Sequence, residues 1–85
     1  MAEEKLIGKI THYFGNIGVG VIELSGALKV GDKIRIKGGT TDFEQVVDSM
    51  QVEHQNIDAA KAGDAAGLKV ADKVRTGDEV YQVTE

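Results

Sequence analysis

The sequence predicts an all-β fold in which about six short strands form a sandwich or a barrel. Three observations lead to this prediction. The pair Gly-Asp comes directly before an alternating run at three places, which begin at Gly31, Gly63 and Gly77. Apolar and polar residues alternate with a period of two along much of the chain, as half-buried strands require. The chain contains 11 Gly and no Pro, so glycine alone supplies its special turn conformations. Since an open sheet would leave two exposed edges, a closed barrel is favoured.

The first half of the chain is expected to contain three strands. Residues 5–14, KLIGKITHYF, alternate along their length. Residues 17–24, IGVGVIEL, are apolar on both faces and follow a Gly-Asn turn. The third strand, KIRIK, follows Asp32, with its two isoleucines facing inward and its three basic residues facing outward. The Gly-Asp pair explains this start, because Gly tolerates positive φ and Asp hydrogen-bonds the backbone of its own turn.

The second half is expected to contain three more strands. Residues 43–54, FEQVVDSMQVEH, form a long β-rich run. AAGLKV after Asp64 and EVYQV after Asp78 alternate again. KGGTTD is expected to be a loop, NIDAAKAGD could form one helical turn, and KVADKVRTGD is expected to be an irregular connection. The predicted core consists of the inward residues Ile10, Val19, Val21, Ile34, Ile36, Met50, Leu68 and Val80.

The composition is that of one small domain, which we assign to residues 1–85. The chain has no Cys, so it forms neither a disulfide nor a thiolate metal site. It has no apolar run of about 18 residues that could span a membrane, and its first residues, MAEEKLIG, lack the apolar region of a signal peptide. We therefore expect a cytoplasmic protein with no membrane partner. The formal net charge of −4 argues against indiscriminate binding to phosphate backbones.

The sequence shows no set of residues typical of a catalytic, cofactor-binding or metal site. GNIGVGV, residues 15–21, lacks the Lys-Ser/Thr at a helix entry that a phosphate-binding loop needs, so we expect a glycine-rich turn and no bound nucleotide. His12 and His54 lie on different expected strands without a third metal ligand. Ser25 and Ser49 lack the context of an activated nucleophile. We assign the aspartates of the Gly-Asp pairs to turns, and we expect no enzymatic activity.

The basic strand offers the one candidate for a binding surface. Lys33, Arg35 and Lys37 share the outward face of one strand. They could form a patch that contacts RNA phosphates or an acidic protein. They could instead form a solvated strand face whose charges protect an edge. Both alternatives remain open on the sequence alone.

Four motifs resemble the second domain of translational GTPases, which occurs in elongation factor Tu and initiation factor two. The motifs are GALKVGDKIRI, a Val-x-Ser-Met strand, an Ala-x-Ala-Gly-Asp-x-x-Gly-Leu segment and a closing Arg-x-Gly-Asp-x-Val. They fall at residues 26–36, 47–50, 60–68 and 75–80. The resemblance implies a six-stranded closed Greek-key β-barrel of the translation-factor domain II type.

The resemblance also implies a function, with important departures. No GTPase domain is present in these residues, so no GTP is expected to bind. The family's Gly-Arg-Gly is replaced by Gly15-Asn16-Ile17-Gly18, so the pocket for the aminoacyl end of tRNA is not carried over. We therefore expect a non-catalytic translation-factor-like module that contacts RNA or a ribonucleoprotein through Lys33, Arg35 and Lys37. The alternative is a protein-interaction or accessory subunit of a larger enzyme assembly.

Overall fold

The computed structural model describes residues 3–39, 41–52 and 55–84. Within these ranges the chain forms strands and no helix, which confirms the all-β class. The strands are β1 (Glu3–Phe14), β2 (Val19–Leu24), β3 (Leu28–Lys29), β4 (Lys33–Lys37), β5 (Asp42–Val46), β6 (Met50–Val52), β7 (Gln55–Ile57), β8 (Ala59–Ala60), β9 (Ala65–Lys69) and β10 (Glu79–Thr84).

Eight of these strands form one antiparallel sheet in the order β5-β4-β10-β1-β2-β9-β6-β7, and β3 and β8 form a small second sheet. The long strand β1 lies at the centre and pairs with both β2 and β10. Its register shifts between Leu6 and Gly8 and again between Ile10 and His12. Such bulges bend a strand and increase its twist, as a curved sheet requires.

The expected run over residues 43–54 is divided into two strands. Val47 is buried, and its backbone exchanges hydrogen bonds with the first Gly-Asp turn, donating to Asp32 O at 2.9 Å and accepting from Gly31 N at 2.8 Å. The chain then changes neighbours, because β5 pairs with β4 whereas β6 pairs with β7 and β9. Residues 47–49 thus connect strands near opposite ends of the sheet order. Closure of the barrel by a further pair of hydrogen-bonded strands stays a prediction. The count of six strands also stays a prediction.

The expected helical turn in NIDAAKAGD is absent from the part that the structure describes. Gln55–Ile57 and Ala59–Ala60 are short strands instead, paired with β6 and β3. The irregular connection before β10 is confirmed. Part of the KGGTTD loop, at Thr40, and the end of the FEQVVDSMQVEH run, at Glu53 and His54, lie outside the described residues.

The three Gly-Asp turns share one geometry. In each, glycine has a φ of 94° to 96°, which only glycine adopts without strain. In each, the aspartate side chain accepts the backbone N–H of the residue three positions earlier, at 2.8 to 3.1 Å. The aspartate N–H in turn donates to the carbonyl of that earlier residue. The expectation that Gly-Asp forms the turn before each strand is therefore confirmed.

Most of the predicted core is buried, but two positions on β2 were assigned to the wrong face. Val19 and Val21 are half-buried on the outer face, and Gly20, Ile22 and Leu24 face inward. The error arises because β2 is apolar on both faces, so alternation cannot choose between them. Packing decides, since a Cβ atom on Gly20 would lie 3.3 Å from the Val74 side chain. The confirmed core positions are Ile10, Ile34, Ile36, Met50, Leu68 and Val80.

Candidate functional site

The outer face of β4 carries the three basic residues in an ionic network. Arg35 binds Asp42 with two hydrogen bonds, from Nε to Oδ1 at 2.8 Å and from Nη2 to Oδ2 at 3.0 Å. Its Nη1 donates to Glu4 Oε2 at 2.8 Å. One guanidinium therefore joins β5 to β1 across the outside of β4 and β10. The planar fork of arginine suits this arrangement, because it matches a carboxylate in two parallel bonds.

The two lysines on either side of Arg35 are also paired with carboxylates. Lys33 Nζ lies 3.2 Å from Glu44 Oε2, and Lys37 Nζ lies 3.5 Å from Glu4 Oε1. Lys37 Nζ also lies 5.8 Å from the centre of the Tyr81 ring, within the range of a cation–π contact. Among the described residues, three carboxylates therefore lie against the three cations of this strand face.

The network shifts the proton affinities of its members. Hydrogen bonds from Arg35 lower the pKa of the Asp42 carboxyl and the pKa of the Glu4 carboxyl below their ordinary values. The same hydrogen bonds, first with Asp42 and then with Glu4, raise the pKa of Arg35. All three groups thus stay ionised at neutral pH.

This arrangement changes how the basic strand is understood. Lys33, Arg35 and Lys37 do share one outward face, as expected from alternation. Their role in contacting a partner stays a prediction. A partner would have to compete with Glu4, Asp42 and Glu44 for the same cations, which the sequence did not reveal. Glu4 is 31 residues from Arg35 along the chain, so no local pattern signals the pairing.

A second surface, which sequence reasoning missed, lies where β1, β2 and β9 meet. We call Phe14, Ile17, Val19 and Val21 the apolar surface. Phe14 is 51% exposed and Ile17 is 66% exposed. Together with Gln51, Ala65 and Gly67 they line a shallow depression of about 220 Å³. Gly67, directly opposite Val21, has no side chain to fill it.

The apolar surface is held in place by the sheet. Phe14 pairs with Val19 across the β1–β2 ladder, and the ring of His12 stacks against that of Phe14, with centroids 6.3 Å apart and planes at 27°. Exposed contiguous apolar side chains of this kind mark interaction sites in soluble proteins. The signal in the sequence was the run IGVGVIEL, which is apolar on both faces.

The remaining candidate side chains lie apart from one another. Asp32, Asp64 and Asp78 accept backbone N–H groups in their turns. His12 is exposed on β1, and His54 lies outside the described residues. Over residues 3–39, 41–52 and 55–84, no group of three or more His, Cys, Asp or Glu side chains could hold a metal ion.

The glycines of GNIGVGV form a turn and then a strand. Residues 15–18 make the turn, Gly18 has a φ of 66° and β2 follows directly. In the ranges that the structure describes, no helix has both the length and the apolar character needed to cross a membrane.

Three curated relatives match nearly the whole chain. An uncharacterized protease of Methanocaldococcus jannaschii is 42% identical over 80 residues, which is 93% of this chain and 20% of that protein. Two collagenases of Porphyromonas gingivalis are 35% identical over 82 residues and 37% identical over 78 residues. These matches cover 94% and 89% of this chain, and 23% and 19% of the collagenases. The chain thus spans about a fifth of the length of these relatives.

Two solved structures share the fold. Both are of the C-terminal domain of a Geobacillus thermoleovorans protein assigned to the U32 peptidases, one of them a selenomethionine variant. Each has a TM-score of 0.86, with 18% and 19% sequence identity. The alignments cover 92% and 89% of this chain, and 91% and 96% of those chains. At this identity the likeness establishes the fold alone.

These comparisons correct the expected function. The expectation of a translation-factor module that binds RNA is wrong, because the matching relatives are named as a protease and as collagenases. The alternative, an accessory part of a larger enzyme assembly, agrees better with them. The resemblance of the fold itself is confirmed, since the family model described as elongation factor Tu domain 2 matches residues 15–81. The chain therefore belongs to the elongation factor Tu domain 2 family.

Proposed function

We propose that this chain is a non-catalytic accessory domain of a protease related to the U32 peptidases. The observation that carries the proposal is the match of 93% of the chain to one fifth of a protein named as a protease. The remaining four fifths of such a relative is the part in which we place catalysis. The barrel would then act by binding protein, either the catalytic part or its substrate.

The apolar surface supports docking against that catalytic part. Phe14 and Ile17 expose about half or more of their area, and aromatic side chains are enriched at the energetic centres of interfaces. Val19, Val21 and Gly67 line the same shallow depression. Burial of this surface against another domain would remove apolar area from water, which is the main driving force of such association.

The chemistry of the described side chains supports a non-catalytic role. The turn aspartates are engaged with backbone N–H groups, and Glu4, Asp42 and Glu44 are engaged with cations. These carboxylates therefore have structural roles, in turns and in ion pairs. A cytoplasmic location is part of the same proposal, because a chain without Cys has no disulfide that requires an oxidising compartment.

The proposal can be tested with a chimera of a Porphyromonas gingivalis collagenase in which this chain replaces the matching segment. Hydrogen exchange would be compared between the isolated chain and the chimera. We expect slower exchange around Phe14 and Ile17 in the chimera, because the catalytic part covers the apolar surface there. Collagen cleavage by the chimera gives a second readout.

Two variants distinguish the loss of docking through the apolar surface from the loss of an exposed apolar side chain elsewhere. Phe14→Ser with Ile17→Ser should remove the protection and lower the rate of collagen cleavage. Leu6→Ser is the control, because Leu6 is 43% exposed but lies near the other end of β1. Equal exchange rates in the isolated chain and the chimera would contradict docking through the apolar surface. Collagen cleavage by the chain on its own would contradict the non-catalytic role.

A further inference from the structure

Strand β5 is the last strand at one end of the main sheet. The hydrogen bonds at its two ends fix which backbone groups face β4. Gly38 N donates to Thr41 O at 2.7 Å, and Val47 N donates to Asp32 O at 2.9 Å. The ladder between β4 and β5 has no register shift, so the odd-numbered residues bond to β4. The N–H and C=O groups of Asp42, Glu44 and Val46 therefore point away from the sheet.

The backbone of residues 69–71 lies opposite this edge. Lys69 O and Ala71 N both point toward β5, because the Gln45 carboxamide binds them. Gln45 Nε2 donates to Lys69 O at 2.8 Å, and Gln45 Oε1 accepts from Ala71 N at 2.7 Å. A side-chain amide thus makes the donor and acceptor contacts that a neighbouring strand would make. The two backbones are separated by a side chain, so their spacing exceeds the ~4.8 Å of paired strands.

The space between the two backbones is an open groove with two segments. One segment, of about 300 Å³, is lined by Gln45, Val46 and Asp48 on one side and by residues 69–71 on the other. The other, of about 270 Å³, is lined by Thr41, Asp42 and Phe43 on one side and by Asp72, Lys73 and Arg75 on the other. We call these two segments together the seam groove. The residues that line it on one side follow one another along β5, from Thr41 to Asp48.

The charges along the seam groove are unequal. Asp42 and Glu44 are neutralised by Arg35 and Lys33. In the described part of the chain, Lys69, Lys73 and Arg75 form no ion pair. Two carboxylates in the lining, Asp48 and Asp72, also form no ion pair among the described residues. The three cations therefore outnumber these two carboxylates. The groove therefore favours a ligand that carries negative charge.

We propose that the seam groove binds an extended acidic polypeptide segment, which adds to β5 as a further strand. Backbone groups of Asp42, Glu44 and Val46 supply the hydrogen bonds, as in other cases of strand addition. Phe43 offers an apolar contact, and Lys69, Lys73 and Arg75 attract acidic side chains. The Gln45 carboxamide holds the groove in the absence of a ligand and marks where a peptide group fits.

This inference rests on the proposed function and deepens it. It names an extended acidic polypeptide as a ligand of the proposed accessory domain. It does not depend on docking through the apolar surface. The double variant Phe14→Ser with Ile17→Ser should bind the peptide as tightly as the wild type. Loss of docking and loss of peptide binding can therefore be observed separately.

The experiment is a titration of the chain, followed by nuclear magnetic resonance, with an acetylated and amidated heptapeptide of alternating valine and glutamate. We expect saturable binding, with the largest shift changes at residues 42–46 and 69–75. A second peptide with N-methylvaline at each valine keeps the side chains but loses those amide donors. It should bind at least about tenfold more weakly, because strand pairing needs the amide protons.

Two variants of one residue provide the matched control. Glu44→Pro removes an outward N–H that β4 does not use, which an edge strand tolerates. Glu44→Ala removes the same side chain and its ion pair but keeps the N–H. We expect Glu44→Pro to weaken binding by at least about tenfold and Glu44→Ala to leave it within about twofold.

Three results would overturn the inference. They are equal affinity for the plain and N-methylated peptides, shift changes centred on the apolar surface, and no saturation at millimolar peptide. If Glu44→Pro fails to fold, as judged by circular dichroism, the pair of peptides on the wild-type chain decides the question.

Discussion

Gly38 lies directly against the carboxylate of Asp78, so that a Cβ atom on residue 38 would be 2.6 Å from Asp78 Cγ. Asp78 is buried, and its Oδ2 accepts the N–H of Arg75 at 2.8 Å. The carboxylate therefore cannot move aside without breaking the turn before β10. This contact joins the loop after β4 to that turn.

Gly38→Ala should lower the free energy of unfolding by about 1–3 kcal/mol, because the added methyl group overlaps a fixed side chain. Gly39→Ala is the matched control, since a Cβ atom there would meet no atom within 4 Å. Urea unfolding followed by circular dichroism measures both. Similar midpoints for the two variants would show that Asp78 relocates freely.

Ile34→Ala should lower the free energy of unfolding by about 2–5 kcal/mol, the usual cost of such a cavity. Ile34 has no exposed area and lies in the centre of β4. Leu6→Ala, at a position that is 43% exposed, should cost much less. On a domain of this size, Ile34→Ala should leave a large unfolded fraction. A small change in the urea midpoint would contradict the assigned register of β4.

Acid should weaken the fold through the Arg35 network. The folded pKa values of Asp42 and Glu4 are lowered by hydrogen bonds from Arg35. Their contribution is therefore present above the unfolded pKa, which is about 4, and is lost as pH falls through the lower folded values. Urea midpoints for the wild type should drop as the pH is lowered from about 5 to about 2.

The variant Arg35→Gln isolates that effect. It removes the cation, so its urea midpoint should depend less on pH over the same interval. Lys69→Gln is the control, since Lys69 forms no ion pair within residues 3–39, 41–52 and 55–84. The same slope for wild type and Arg35→Gln would mean that other carboxylates govern the acid response.

Gln45→Ala should speed hydrogen exchange at the Ala71 amide, because it removes Gln45 Oε1, the acceptor of that amide's hydrogen bond among the described residues. Gln51→Ala serves for comparison. Gln51 also donates from its side-chain amide, to Asn56 Oδ1 at 2.9 Å, but only within the β6–β7 hairpin. Its loss should leave Ala71 unaffected. Unchanged exchange at Ala71 in Gln45→Ala would show that the bridge is not occupied in solution.

Local chemistry explains what the sequence could predict. The turns at Gly31, Gly63 and Gly77 were predictable, because a positive φ and an aspartate acceptor act within four residues. The face of β2 was not, because both of its faces are apolar and only the packing of Gly20 against Val74 decides.

The sites depend on contacts that are distant along the chain. Glu4 and Arg35 meet only because β1 and β4 both flank β10, and Gln45 meets Ala71 only across the seam groove. The function could not be predicted from the family, because one barrel fold serves many unrelated roles. Resemblance in the Gly-Asp motifs therefore predicted the fold class correctly and the function as a translation-factor module incorrectly.

The pairing of Glu3 with Thr84 at the edge of the β1–β10 ladder brings the two ends of the described chain side by side. A domain whose ends lie this close together can be inserted into a surface loop of a larger enzyme without stretching either junction. The same proximity allows circular permutation, in which a short linker joins the original ends and new ends are made at the exposed turn of Gly15 and Asn16. Such a permutant keeps every strand of the main sheet and the order of the strands within the sheet. The domain can therefore be moved between proteins as one unit.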